Sequence, residues 1–471
     1  MNSTRPPTPI EELYSWHGWC KRLPKVPRRT AAKSGLPFDF FAVLRNPFRP
    51  GRASLGFREG LHGIRDPKVL VDYTETLRAA WEFFISDQGR TAPEQRLAVY
   101  IFAVDDDEFG CGVPCFDELP FFKANGEPDR VVPMIALPSR SREPEVGIAA
   151  SKVRSEIVHE LSHFFNSRFL PYRRINGATK MHDPWAGSWL WLDEGMAVAS
   201  ESDFSVAESV KAAGLRIGKD WLRYGLDWVD HPERSLDAPG AEYQAAFFVR
   251  YVNRLLSGPG FLNEVWKKSA SVWEPEVKNC WAAITALQEE LNDLPNPKVF
   301  CSAIDHDLFA SGYCFDSYFL NSEGSPGFEP EVFGRFSGRA VTQTWRMENR
   351  FDWPNGQSES YSLPGLACRY FRFLPAKKPG RLKVRVSAPA GHRLKAELAF
   401  AVGNPEALSP GTRSVRMDGS LECEVPGFSA QACHHAVLVV TNCAIGESPT
   451  PHQPPGGYRS SVDFMVKADL V

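Results

Sequence analysis

The spacing of hydrophobic and polar positions changes several times along the chain, and each change predicts an element. From Pro67 to Ser86, Val69, Val71, Tyr73, Leu77, Trp81 and Phe84 recur at mixed two-, three- and four-residue steps, which predicts a helix. Arg96 to Val104 is β-branched and aromatic and predicts a buried strand, followed by an acidic turn from Asp105 to Glu108. Asp129 to Leu137 predicts a further strand, and its Pro133, which lacks a ladder donor, places it at or near a sheet edge. Residues 150–167 carry apolar positions at helical spacing on most sides. Pro171 to Trp185 is polar and reads as a loop. Trp189 to Phe204 predicts a second helix in this region, and Glu242 to Leu256 a third, stopped by Ser257-Gly258-Pro259-Gly260. Phe261 to Leu291 continues mostly as helix, with a break at Pro275.

After about residue 325 the helical period fades. Leu382 to Ser387, Arg393 to Ala401, Leu421 to Val425, Ala436 to Thr441 and Ser461 to Val466 predict short strands separated by turn residues. The expected fold is α+β: an irregular N-terminal arm over 1–60, a mixed-sheet domain with buried helices over 61–325, and an antiparallel β-sandwich over 326–471.

Composition narrows the function. The 471 residues include 54 Lys+Arg against 57 Asp+Glu, a balance that argues against a nucleic-acid partner held by a basic surface. The longest apolar runs are of strand length, so no membrane span is expected. Met1 to Lys21 has Pro, Glu and Trp where a secretory leader has an apolar core, so a cytoplasmic location is expected, with non-classical export left open. Cys111 and Cys115 form a C-x3-C with no second pair at ligand spacing, and read as loop or core thiols.

One constellation carries chemistry. His159-Glu160-Leu161-Ser162-His163 is an H-E-x-x-H sequence inside the predicted helix over 150–167. Two histidines four residues apart project from one helix face about a turn apart, as two ligands of a tetrahedral Zn2+ require. Glu160 sits beside them, able to reach a water without ligating. The third ligand has three candidates: His182 in the polar loop, and Asp193 or Glu194 on the next helix. Glu194, with apolar neighbours, is the best placed. Asp193 points about 100° away around the same helix. Cys433-His434-His435 is a weaker motif, because adjacent residues on a strand face opposite ways.

H-E-x-x-H followed by Trp191-Leu192-Asp193-Glu194-Gly195-Met196-Ala197 resembles the gluzincin metallopeptidases, the thermolysin-like and aminopeptidase-type zinc enzymes. The resemblance spans about residues 95 to 265 and implies a zincin-like catalytic domain. It implies one Zn2+ per chain held by His159, His163 and Glu194, and Glu160 as general base. Gly195 and Ala197 match small residues that let two helices approach. Glu201, seven residues after Glu194, resembles a carboxylate that orients a ligand imidazole. Tyr243 matches the catalytic tyrosine of the family, a donor to the oxyanion. The G-A-M-E-N motif of the aminopeptidase branch is missing, and Val131 to Leu137 stands in its place, so an endopeptidase is expected over an aminopeptidase. If Val131 to Leu137 is an edge, it can pair with an extended peptide. The expected partner is a peptide or protein substrate, with a further protein or glycan partner for the C-terminal β-domain. Two other classes remain: a binding or adhesion protein with a structural metal, and a zinc hydrolase of a non-peptide amide.

Overall fold

The computed structural model describes residues 20–22, 37–43, 67–102, 115–122, 128–138, 150–167, 169, 184–218, 224, 231–255, 260–271, 341–346, 359–375, 380–390, 394–402, 409–416, 420–428, 433–442, 444 and 460–470. These residues mix helices and sheets in an α+β arrangement. Two compact units are present, Met1–His182 with Met196–Trp221, and Asp183–Gly195 with Leu222–Val471. The acidic turn at 105–108, Cys111, the loop with His182 and the helical stretch expected over 272–291 lie outside the described residues. So do the side chains of Cys115, His434 and His435. Among the described residues no helix is long and apolar enough to cross a membrane.

The first unit is built on strands β1 (Cys20–Arg22), β2 (Phe38–Val43), β3 (Leu97–Phe102), β4 (Cys115–Phe122) and β5 (Pro128–Pro138). Their order in the sheet is β1-β2-β3-β5-β4. β2, β3 and β5 run parallel, and β1 and β4 pair antiparallel at the two ends. Helix α1 (Pro67–Glu82), extended by a π-helical turn over Phe83–Asp87, joins β2 to β3, and α2 (Ala150–Ser167) follows β5. Both helices share one apolar core with the sheet. Leu97, Val99 and Ile101 of β3 and Ile135 and Leu137 of β5 enter it at two-residue steps. Leu77, Trp81, Val153, Ile157, Leu161 and Phe165 close it from the helices. Ala98, Tyr100, Met134 and Ala136 on the alternate positions are buried too, as expected for central parallel strands.

Two differences from the pattern reading have physical causes. β2 lies within the segment expected to be an irregular arm. Phe38 and Phe40 alternate into the core, and the intervening buried Asp39 has both its oxygens held by Arg96, at 2.7 and 2.9 Å. β5 stands near the edge, as its Pro133 led one to expect, but not at it, because β4 covers it from Cys115↔Ala136 to Phe122↔Pro128. Pro133 is tolerated because β3 pairs with β5 only from Met134 onward, so the missing N–H costs no bond on that side.

Helix α3 (Pro184–Val206) carries residues of both units, the division falling after Gly195. It is buried almost all round from Trp191 to Phe204. A short α4 (Glu208–Ala212) follows in the first unit. In the second unit a 3-10 turn over Glu242–Ala245 leads into α5 (Ala246–Leu255), then α6 (Gly260–Ser271). Strands β6 (Val341–Arg346), β7 (Glu359–Pro364), β8 (Ala367–Leu374), β9 (Gly380–Ser387), β10 (Leu394–Val402), β11 (Ser409–Arg416), β12 (Ser420–Phe428), β13 (Cys433–Asn442) and β14 (Ser461–Leu470) form two sheets. The orders are β11-β10-β13-β8-β6 and β12-β9-β14-β7, antiparallel except for β6 with β8. One buried cluster draws on both sheets, with Leu382, Val384 and Val386 of β9 and Val462, Phe464 and Val466 of β14 meeting Phe371, Leu398 and Leu438.

The β7–β8 turn is tied to the segment ahead of the 3-10 turn. Leu236 N donates to Leu366 O at 2.9 Å, Cys368 N to Pro232 O at 2.9 Å, and Ser235 Oγ to Gly365 O at 2.6 Å. Leu366 adopts φ 56°, a conformation glycine prefers, yet its side chain is 3% exposed. The two effects oppose each other. Replacing Leu366 by Gly relieves about 1–2 kcal/mol of backbone strain but removes a buried side chain worth about 2–5 kcal/mol. The Leu366→Gly variant is therefore expected to be the less stable protein in urea denaturation. A gain in midpoint would show that strain outweighs packing there.

Candidate metal centre

Helix α2 supplies the first part of the site. Its buried polar positions are Ser155, His159, Ser162, His163, Asn166 and Ser167. A buried polar group is costly without a partner. His159 and His163 are each 8% exposed, with ring centroids 4.8 Å apart and planes at 75°. Glu160, between them, is half-buried.

Helix α3 supplies the second part. Glu194 is half-buried, and its carboxylate lies with the two imidazoles such that one ligand atom from each falls within 4.8 Å of the others. Among the described residues no other group of three His, Cys, Asp or Glu side chains gathers in this way. Asp193, the alternative on this helix, is buried but does not belong to the group, and His182 lies outside the described residues.

Glu201, two turns further along α3, is 4% exposed. One of its oxygens accepts from Ser155 Oγ, and the other lies 2.8 Å from His159 Nδ1. A carboxylate accepts, so Nδ1 carries the proton and Nε2 keeps its lone pair. Two nitrogens and one oxygen, with one imidazole oriented by a carboxylate, are a donor set that could hold a divalent metal ion, zinc among them.

No protein-family model matches the chain, and no curated protein matches it. Three solved structures illustrate how distant the structural likenesses are. A Yersinia pseudotuberculosis-derived mitogen shares 9% identity at a TM-score of 0.17, covering 24% of this chain and 85% of its own. Aeromonas hydrophila PliG, a periplasmic lysozyme inhibitor of g-type lysozyme, shares 12% identity at a TM-score of 0.17, covering 27% of this chain and 98% of its own. A family GH115 4-O-methyl-alpha-glucuronidase with specificity for decorated arabinogalactans shares 12% at a TM-score of 0.14, covering 67% of this chain and 38% of its own.

Tyr243 stands on the 3-10 turn rather than within a continuous helix from Glu242. It is 37% exposed, and its ring stacks on Tyr224 at 4.9 Å and 20°. Two residues on, Ala245 meets Gly195 of α3, where an added Cβ would stand 3.1 Å from the Ala245 Cβ and 3.2 Å from Val249 Cγ2. Gly195→Val is thus expected to force the Tyr243 turn away from α3 and to cost about 1–3 kcal/mol of stability by overpacking. Thermal melts of the variant check this, and a wild-type midpoint would show that the contact yields freely.

Sequence reasoning missed a second polar set around the same helices. Arg90, Gln88 and Ser200 meet Ser162 and Asn166 in the interior. The available signal was the recurrence of Ser155, Ser162 and Asn166 at seven- and four-residue steps along one side of the helix. Arg90 itself carries no sequence signal.

Glu156, one turn before His159, has its carboxyl pushed up to about 7. Burial raises it most, Lys152 at 3.6 Å opposes that, and Glu201 and Glu160 raise it further while His159 lowers it. A raised acid holds its proton in the folded state, so its contribution is complete below the ordinary 4.5 and fades as pH climbs through 7. In chelator-treated protein, Glu156→Gln should gain thermal midpoint over the wild type on going from pH 5 to pH 8. A difference that stays constant between those two pH values would remove the assigned cause.

Proposed function

We propose that the chain is a zinc-dependent peptidase of gluzincin type, an endopeptidase rather than an aminopeptidase. The observation that supports this best is the convergence of His159, His163 and Glu194, with His159 Nδ1 engaged by Glu201. In this reading residues 61–325 form a zincin-like domain and 326–471 a β-sandwich packed around the shared core of the two C-terminal sheets.

His159 through Nε2, His163 and Glu194 would hold the ion, and Glu201 orients the His159 ring. When bound, zinc supplies a Lewis acid that polarises a scissile carbonyl and acidifies water. Glu160 takes the proton of the attacking water and returns it to the leaving amine nitrogen. Tyr243, exposed at its turn, donates a hydrogen bond to the developing oxyanion. The extended substrate pairs with β4, the antiparallel edge of the sheet and a neighbour of α2, rather than with β5, whose outer side is already covered. Main-chain pairing of this kind accepts many sequences.

Glu160→Gln is expected to keep stoichiometric zinc and to lower turnover of a casein or generic peptide substrate about 10²–10⁴-fold. His163→Ala is expected to lose stoichiometric metal by elemental analysis while the wild type retains it. Full turnover by the first variant removes the general-base role. Unchanged zinc in the second removes the ligand set. Cleavage by wild type that persists in chelator would discard the metal reading altogether.

A further inference from the structure

A metal site shared by two helices needs more than ligands. The donors must be held at a fixed separation, and α2 and α3 are separate elements with residues 168–183 between them. A third element reaches both helices beside the ligand positions in sequence. The π-helical turn Phe83–Asp87 ends with Gln88 N donating to Phe83 O at 3.0 Å and Arg90 N to Phe84 O at 2.8 Å. Gly89 between them adopts φ 64°, and this reversal sends Gln88 and Arg90 inward together.

The Arg90 side chain is buried, its guanidinium 4.7 Å from the centre of the Phe84 ring. One terminal nitrogen donates to Ser162 Oγ at 3.0 Å and Asn166 Oδ1 at 3.3 Å, both on α2. The other donates to Ser200 Oγ on α3 at 3.2 Å. Ser200 spends its own proton on Met196 O at 2.7 Å, so its lone pairs are left to accept, from Arg90 and from Gln88 Nε2 at 3.4 Å. These anchor points are not scattered along the helices. Ser162 directly precedes His163, Asn166 is three residues after it, and Ser200 directly precedes Glu201.

We propose that Arg90 is a positioning residue for the metal site, a planar fork that sets the separation of α2 and α3 at His163 and Glu201. The inference rests on the metal reading given under Proposed function. The fork shape is what the role requires. A guanidinium donates in two fixed directions in one plane, whereas an ammonium of the same charge is a compact point donor on a flexible stem. A misplaced outer partner of a metal ligand lowers metal affinity without removing any ligand.

The test compares wild type, Arg90→Lys and Ser200→Ala as full-length proteins. Zinc affinity is measured by competition with a chromophoric chelator, and the Co2+-substituted proteins give visible spectra that report ligand geometry. Circular dichroism and melts of the metal-free proteins monitor the fold. Arg90→Lys is expected to remain folded, to bind zinc about 10–100-fold more weakly, and to change the intensity and position of the Co2+ bands. Ser200→Ala, which removes only the α3 anchor, is expected to move both readouts in the same direction by less, and it carries the test if Arg90→Lys does not fold. A clamp that served stability alone would lower the melting midpoint and leave the Co2+ spectrum in place. Zinc affinity within twofold of wild type and an unchanged spectrum in the folded variants overturns the positioning role while the metal reading stands. A wild-type protein that binds no zinc overturns both.

Discussion

A carboxylate buried between two apolar helices must place both oxygens on donors, and that requirement organises the centre of this protein. Glu201 meets it with Ser155 and His159, two residues of α2 spaced one turn apart. The pairing fixes the register of α3 against α2, because a slip of one residue on either helix would strand the charge. It also fixes the His159 ring and its tautomer. His163, one turn on from His159, stands on the same side of α2.

The sheet sets where the helix pair stands. β3 and β5, buried on both faces, form the floor against which α2 packs. β4 runs antiparallel to β5 and is the edge strand among the described residues. An edge strand ordinarily needs protection from unwanted pairing, and β4 carries Asp117, Glu118 and Pro120, residues that discourage a long uninterrupted ladder. An edge discouraged from self-association can still take a short extended peptide, which is what the proposed function requires of it.

What could be read from the residues follows from how much local contrast each element carries. α2 and α3 were legible because apolar residues recur through them at three- and four-residue steps, and β9 and β14 because Leu382, Val384, Val386 and Val462, Phe464, Val466 alternate with polar residues. β4 was not legible, since Asp117, Glu118 and Pro120 break its period. β8 was hidden by Arg369 and Arg372, which stand three residues apart on a strand whose side chains repeat every two. β2 is short, and its place depends on pairing with β3 more than fifty residues on and on the Arg96 contact to Asp39, neither of which leaves a local pattern. The grouping of His159, His163 and Glu194 was readable from spacing and resemblance, whereas the tie from Arg90 was not, because long-range contacts of one arginine have no period.

The same centre concentrates negative charge, and this links its chemistry to its packing. Glu156, Glu160 and Glu201 raise one another's cost, as the shifted Glu156 carboxyl records, and Lys152 offsets only part of it. Without a cation such an arrangement opposes folding, so the apolar contacts beside it have to outweigh the repulsion. They are unusually dense just there. Phe164 and Phe165 follow His163 directly, and Trp81 lies 4.9 Å and Phe84 5.0 Å from the Phe165 ring. Burying each such ring is worth about 1.5–3 kcal/mol. A divalent ion that binds only the folded arrangement would add its binding free energy to the same balance. In the proposed reading the aromatic cluster holds the carboxylates together against their repulsion, and a bound cation would relieve that repulsion.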